Sequence, residues 1–342
     1  MNHLRIPAEW ESQEAVMLVW PHKNTDWAYM LREVQECFTN IIQAINNEGE
    51  KVILIVPEDP EVQNIPEFDK QQTVCIACPT NDTWARDTCA ITTESGGRLI
   101  VNDFKFNGWG LKFAADKDNL LTSRLFEKGI FKADYANRLN FTLEGGSIES
   151  DGNGVMLTTA ECLLSKNRNG EFSKSQIENY LKDVFGLKKI LWLGHGFLEG
   201  DDTDSHIDTL ARLAPDNTIL YVATDRKDDI HFEALAAMED ELKQFTTLNG
   251  ASYRLISLPL PEAIYDEDGL RLPATYANFL IGNGFVLVPT YRQPEYDNEA
   301  LSKIAIAFPD RKIIGVDCNA LIRQHGSLHC VPMQFPKNSI SL

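Results

Sequence analysis

Four short segments concentrate the side chains of this chain that can do acid–base, nucleophilic or cation-binding chemistry. They are Asn81-Asp82-Thr83-Trp84-Ala85-Arg86-Asp87, Leu143-Glu144-Gly145-Gly146-Ser147, Gly200-Asp201-Asp202-Thr203-Asp204-Ser205-His206-Ile207-Asp208, and Gln324-His325-Gly326-Ser327-Leu328-His329-Cys330. The third is the most unusual, with four aspartates and a histidine within eight residues. Three chemistries compete for it: an acidic surface loop, a metal site, and a pocket for a cation. A calcium loop of the EF-hand kind needs a central Gly and a closing Glu at fixed offsets, and both are missing. His206 and Asp208 stand two apart, so in extended chain both project from one side. A carboxylate beside an imidazole can fix its tautomer or share its substrate. Cys330, taken alone, is more often a buried small residue than a nucleophile. In a strand, His329 would point away from it, so a base for that thiol has to come from elsewhere in the chain.

Such groups are placed by the elements around them, and here strand and helix patterns alternate. The spacing of Leu31, Val34, Phe38, Ile41, Ile42 and Ile45 predicts a helix over 26–46, followed by a strand at 51–56. A helix at 174–184 precedes a strand at 189–193. A strand at 218–222 precedes a helix at 232–245 and a strand at 253–257. A strand at 284–288 precedes a helix at 299–308 and a strand at 312–316. This is an α/β pattern. No Gly/Ser-rich or Pro-rich linker divides it, and the last three blocks are loosely alike without a fixed period. Periodicity alone leaves both an open sheet and a closed, repeat-built arrangement possible.

Composition narrows the function classes. Fifty Asp and Glu face 32 Lys and Arg, a formal charge of -18. Nucleic acid is therefore not an expected partner, since phosphate binding needs a basic face. The apolar runs, such as Val52–Val56 and Phe285–Pro289, are strand-sized, far short of the ~20 residues of a spanning helix. Met1-Asn2-His3-Leu4-Arg5 lacks the apolar stretch of a secretion signal. No membrane contact is expected, and the expected location is cytoplasmic. The seven cysteines have irregular spacing and do not form a disulfide framework. Cys75 and Cys78 make a lone C-x-x-C in an apolar strand pattern, 73–78, and are expected to be buried small residues, because a zinc ribbon needs a second pair.

The order and spacing of the four segments are what turn weak signals into a strong one. With Pro7-Ala8-Glu9-Trp10-Glu11, Val19-Trp20-Pro21-His22, Phe106-Asn107-Gly108-Trp109-Gly110, Leu272-Pro273-Ala274-Thr275-Tyr276-Ala277-Asn278-Phe279 and Phe308-Pro309-Asp310-Arg311, they resemble the agmatine deiminases, which belong with the bacterial type of peptidyl-arginine deiminase. The resemblance covers nearly the whole chain. It implies one catalytic domain over residues 1–342 with the pentein fold, a five-bladed α/β propeller of ββαβ-like units around a pseudo-fivefold axis, with the site in its channel. It implies a hydrolase that opens a C–N bond of agmatine, a small cationic guanidine, to give N-carbamoylputrescine and ammonia on the way to putrescine and other polyamines. It also implies roles: Cys330 as nucleophile, His206 as acid and base, Glu144 as the residue that orients His206, and Asp87 and Asp208 as carboxylates that grip the guanidinium. Trp84 and Trp109 are candidates to line the aliphatic spacer, and the loop with Asp201, Asp202 and Asp204, Asp202 foremost, to receive the cationic tail. No metal or organic cofactor is called for, and a homodimer is the assembly to expect.

The chain departs from the family pattern at two places. Gln324-His325-Gly326-Ser327-Leu328 stands where many agmatine deiminases have a glycine triplet and Asn before the final His-Cys. Cys89-Ala90 stands where many have Gly-Pro. Other outcomes of the same resemblance are a deiminase of peptidyl arginine or another guanidine, an amidinotransferase, and a non-catalytic binding module like the ribosome-binding translation factor built on this fold. The last predicts gaps in the catalytic set, and here all five positions are filled.

Overall fold

The computed structural model describes residues 4–341; Met1–His3, part of the segment read for a secretion signal, lie outside the described residues. The chain builds an α/β fold whose strands, among the described residues, fall into five small sheets. One joins Leu4–Arg5, Ile91–Ser95, Arg98–Lys105 and Asp134–Thr142 in that order. A second runs Lys189–Leu193, Val155–Thr159, Ile148–Ser150. A third runs Ala211–Ala214, Thr218–Ala223, Arg254–Pro259, and a fourth Leu280–Gly282, Phe285–Thr290, Lys312–Asp317. The fifth joins Pro332–Pro336 to Gln13–Val19, Lys51–Val56 and Thr73–Ala77.

Each sheet repeats one motif: an antiparallel pair, then a helical crossover to a parallel neighbour. In the third sheet Ala211–Ala214 pairs antiparallel with Thr218–Ala223, and the helix Phe232–Gln244 leads to the parallel strand Arg254–Pro259. The helices Leu31–Asn47, Leu121–Glu127, Lys174–Phe185 and Pro294–Ala307 serve the other four in the same way. The central strands of the fifth sheet are apolar over most of their length because both faces are covered; Val16 through Leu18 and Val52 through Ile55 are fully buried.

The expected elements are present with shifted ends. The predicted helix over 26–46 is a 3-10 turn, Asp26–Met30, followed by the helix Leu31–Asn47. The helix expected at 299–308 begins five residues earlier, at Pro294, whose fixed φ suits a first turn; that turn carries little apolar periodicity. Cys78 is buried, but Cys75 is exposed, against the expectation for both. Thr73–Ala77 is an edge strand, so one of its faces is left uncovered. No helix among the described residues is long and apolar enough to cross a membrane.

Candidate active site

The chemistry-bearing residues occupy one structural position, used five times. Asp87 lies four residues before the first strand of its antiparallel pair, Ile91–Ser95, and Glu144 four before Ile148–Ser150. His206 and Asp208 precede Ala211–Ala214, Asn278 precedes Leu280–Gly282, and Cys330 precedes Pro332–Pro336. The connecting segments turn tightly at these points. Asp87 is in the short helix Ala85–Thr88, and Glu144 leads the 3-10 turn Gly145–Ser147. His206 caps the turn Ile207–Leu210, which its carbonyl anchors by accepting from Thr209. The pair is therefore set by a helical turn rather than by extended chain. Cys330 closes a turn through its N–H to the Ser327 carbonyl.

These turns converge. His206 Nδ1 is 3.7 Å from an Asp87 oxygen, and Asp208 Oδ2 is 4.0 Å from Cys330 Sγ. Gly146 sits between them: a Cβ there would come within 2.7 Å of His206 Nδ1, 2.9 Å of Asp87 Oδ1 and 3.0 Å of Asp208 Oδ2. Its bare N–H donates to Asp87 Oδ1 at 2.9 Å, while Trp109 Nε1 donates to Oδ2 at the same distance. Two buried polar atoms here have no hydrogen-bond partner among the described residues, His206 Nε2 and Asp208 Oδ1. Unpaired buried groups of this kind call for an explanation, and an absent ligand is one.

Cys330 and Asp87 open onto a cavity of about 490 Å³. Trp84, Trp109 and Asp202 line it as well. Trp84 packs against Trp27 with ring centroids 5.7 Å apart and covers Gly326, where a Cβ would meet the ring at 2.2 Å. Trp109 stands edge-on to Phe106 and Phe113. The cavity wall is acidic: Asp26, Asp82, Asp118 and Asp202 line it with Asp87, against Lys112. Lys112 is itself tied to Asp204 at 2.6 Å.

Electrostatics follow from burial without counter-charge. Burial, then the neighbouring Asp208, pushes the Asp87 carboxyl up to about 8. Burial drives the His206 imidazole down to about 3, with Asp208 opposing that shift. The Cys330 thiol is held well above its ordinary value by burial and then by Asp208 and Asp87. Burial, then Asp118, lifts Asp82 to about 7. Asp208 is the exception. Burial would raise it, but the hydrogen bond and charge of His329 outweigh that and hold it below the usual carboxylate range.

Two expectations about neighbours need correction. Glu144 is gripped by Arg168, whose Nε donates to both its oxygens at 2.9 and 3.0 Å. Its carboxylate and the His206 ring lie within 4.8 Å of one another, with no direct hydrogen bond between them among the described residues. Of the four aspartates in the aspartate-rich loop, Asp202 alone among the described residues lines the cavity, beside Thr203. Asp201 accepts from Thr203 and Ser205 of its own loop, and Asp204 is paired with Lys112 and Arg168.

Sequence reasoning passed over several residues. Asn278 Oδ1 accepts from the N–H groups of His329 and Cys330, at 2.7 and 3.3 Å, and lies 3.4 Å from Sγ. Behind the site, Glu9, Glu149, Arg86, Arg212 and His329 form a buried ionic network. Glu9 and Asn278 stood inside quoted strings, but only contacts across the fold give them partners. Of the two departures from the family pattern, Gln324, His325 and Gly326 line the cavity, whereas Cys89 is buried against Met17.

The model of the Porphyromonas-type peptidyl-arginine deiminase family matches residues 5–336. The chain belongs to that family. A "Putative agmatine deiminase" of Lactococcus lactis subsp. lactis is 32% identical over 97% of this chain and 95% of its own length. Among solved structures, a "Putative Arginine Deiminase from Porphyromonas gingivalis" superposes with TM-score 0.93 at 49% identity, covering 99% of this chain and 100% of that one. A cysteine-to-serine variant of the C. jejuni agmatine deiminase with substrate bound gives 0.90 at 40% identity, covering 98% and 97%. An amidinotransferase from Microseira wollei, at 16% identity and TM-score 0.55, covers 96% of both chains and shares the fold alone. As a member of this deiminase family, the chain is a hydrolase of guanidino C–N bonds.

Proposed function

We propose that this protein is an agmatine deiminase, in which Cys330 attacks the guanidinium carbon, and that its five sheets are the blades of a pentein propeller forming one catalytic domain. The observation that carries the substrate reading is the cavity wall. Among the described residues it presents carboxylates with no free Lys or Arg to receive an α-carboxylate, and Lys112, which does line it, is already paired. A guanidine whose far end is an ammonium fits that wall; free arginine does not. The aliphatic spacer runs between Trp84 and Trp109, and Asp82, whose buried Oδ1 has no partner among the described residues, faces the tail with Asp202.

A guanidinium offers N–H donors in a planar fork, which ionised carboxylates receive with charge-assisted bonds. Asp87 and the free Oδ1 of Asp208 supply that grip. Before substrate arrives, Sγ is held as a neutral thiol. Burial and the carboxylates of Asp208 and Asp87 disfavour the thiolate, and Sγ lies 3.4 Å from Asn278 Oδ1, whose orientation two backbone N–H donors fix. The substrate's charge offsets the carboxylates and favours ionisation, with the thiol proton passing to His206. Thiolate attack forms a C–S bond, and the imidazolium returns its proton to the departing amine, so that ammonia leaves. An S-alkylthiouronium remains on Cys330. His206 then takes a proton from water, hydroxide adds to the carbon, and collapse breaks the C–S bond; the hydroxyl proton passes to sulfur, the imidazolium gives its proton to solvent, and the ureido product leaves. In the cell this supplies N-carbamoylputrescine to a putrescine-forming reaction.

The test is ammonia release from agmatine, free arginine and a peptide ending in arginine, with wild type and Cys330→Ala in parallel. Agmatine is turned over and the variant loses at least about four orders of magnitude in kcat. Turnover of the peptide alone would overturn the substrate and keep the chemistry; retained turnover in Cys330→Ala would overturn the mechanism.

A further inference from the structure

We propose that His329 is a positioning residue for the guanidine chemistry: its ring, clamped between Glu9 and Asp208, holds the Asp208 carboxylate in place and ionised beside Cys330. The inference rests on the function proposed above and assigns that site a support it otherwise lacks. His329 is fully buried. Its Nδ1 lies 2.8 Å from Asp208 Oδ2, and its Nε2 lies 2.8 and 3.0 Å from the two oxygens of Glu9. An ionised carboxylate only accepts hydrogen bonds, so a ring nitrogen facing one carries a proton. With a carboxylate at each nitrogen, the ring bridges Glu9 and Asp208 and is held in one orientation.

The surrounding charges agree. Glu9, Glu149 and Asp208 are three buried or half-buried carboxylates, and Arg86 and Arg212 are the two guanidiniums interleaved with them. The His329 ring stands between Glu9 and Asp208 within this set. Arg212 Nη2 also approaches His329 Nε2 at 3.0 Å while donating to Glu9 at 2.8 Å, so Glu9 is the common anchor of both side chains.

The consequence reaches the site through one carboxylate. Asp208 gives Oδ2 to the ring and keeps Oδ1 unpartnered among the described residues. One oxygen is thus spent on fixing the side chain and the other is left for an occupant. Asp208 is fully buried and Asp87 is its neighbour, a setting in which a carboxylate without a cation takes up a proton and loses its hold on a guanidinium. His329 and Cys330 are also locked together, since Asn278 Oδ1 accepts from both of their N–H groups. The residue before the nucleophile therefore sets the carboxylate beside it.

The test uses two isosteres of opposite geometry. Asn at this position places its amide N–H near the Nδ1 position and keeps the donor to Asp208; Gln places its own near Nε2 and keeps the donor to Glu9. The full-length variants His329→Asn and His329→Gln are compared with wild type in kcat and KM for agmatine, with thermal unfolding measured alongside. Alkylation of Cys330 by 2-chloroacetamidine, an amidinium electrophile that needs the same carboxylate, is measured as a readout independent of turnover. We expect His329→Gln to lose about 10- to 100-fold in kcat/KM and in alkylation rate, the scale of a hydrogen bond to a charged group, and His329→Asn to stay within about tenfold of wild type. His329→Gln as active as His329→Asn, or equal losses tracking the unfolding midpoint, would overturn the proposal and leave His329 a purely structural member of the network. Wild type that releases no ammonia from any guanidine would instead overturn the proposed function, and the alkylation ratio of the two variants would still decide the role of His329.

Discussion

Two charged regions lie back to back in this protein, and they are built on opposite principles. The rear network sets Glu9, Glu149 and Asp208 against Arg86, Arg212 and His329, with nearly every polar atom engaged. Arg212, fully buried, binds Glu149, Glu9 and the carbonyls of Ala277 and Phe279, and stacks over the Phe279 ring. The cavity in front gathers Asp26, Asp82, Asp87, Asp118 and Asp202 with little positive charge among them. In the first region Glu9 and Asp208 are held below their ordinary values, Glu9 by His329, Arg86 and Arg212, whereas burial outweighs Arg212 at Glu149 and raises it. In the second, burial lifts Asp82 and Asp118 to about 7 and Asp87 to about 8. The balanced region holds the fold; the unbalanced one stores an attraction that only a cation relieves.

The largest effect should come from unbalancing the rear. Arg212→Met strands Glu149 in the interior and takes one cation from Glu9, and we expect a loss of about 3–5 kcal/mol in a denaturant titration. A loss below about 1 kcal/mol would mean that water reaches this network and that the contrast is overstated.

Next comes the front carboxylate closest to the chemistry. Asp87→Asn removes an anion from the guanidinium grip and should cost about 100-fold or more in kcat/KM. The same residue sets a pH dependence. Its folded value of about 8 lies above the ordinary 3.8, so the carboxyl is neutral below pH 8 and kcat/KM should rise with pH until about that point. The stability linkage runs the other way: the contribution is fully present below the unfolded value and is lost as pH rises through about 8. Activity thus climbs where stability falls. In Asp87→Asn the stability slope between about pH 4 and 8 should flatten; an unchanged slope would assign it to another group.

The smallest effect belongs to the rim. Asp202 is half-exposed; its carboxylate lies 3.9 Å from the His325 ring, and its main-chain oxygen accepts from Lys112 at 2.7 Å. Asp202→Asn should raise KM for agmatine only two- to fivefold, as a solvent-screened charge contributes about 0.5–1 kcal/mol, and added salt should erase the difference. A larger, salt-insensitive change would place Asp202 on the substrate's tail directly.

Much of the architecture was legible beforehand. Alternating periods of about 2 and 3.6 marked the strands Lys51–Val56 and Lys189–Leu193 at their observed ends, because burial of apolar side chains imposes those periods on the chain itself. Helix starts were less legible: the helix at Pro294 begins where capping geometry, not apolar spacing, decides. Cys75 shows the same limit, since an apolar strand does not announce whether it will sit at an edge.

The sequence by itself determined which residue types were available, that their order matches a deiminase family, and that the molecule carries strong negative charge. It could name Cys330, His206, Asp208, Asp87 and Glu144 because those positions sit in recognisable strings. Tertiary structure alone decided who partners whom. Arg168 takes Glu144, Lys112 and Arg168 take Asp204, and His329 joins Glu9 to Asp208 across 320 and 121 residues of chain. The reason is physical: a carboxylate's charge state depends on burial and on the cations within a few ångströms, and neither is a property of its neighbours in sequence.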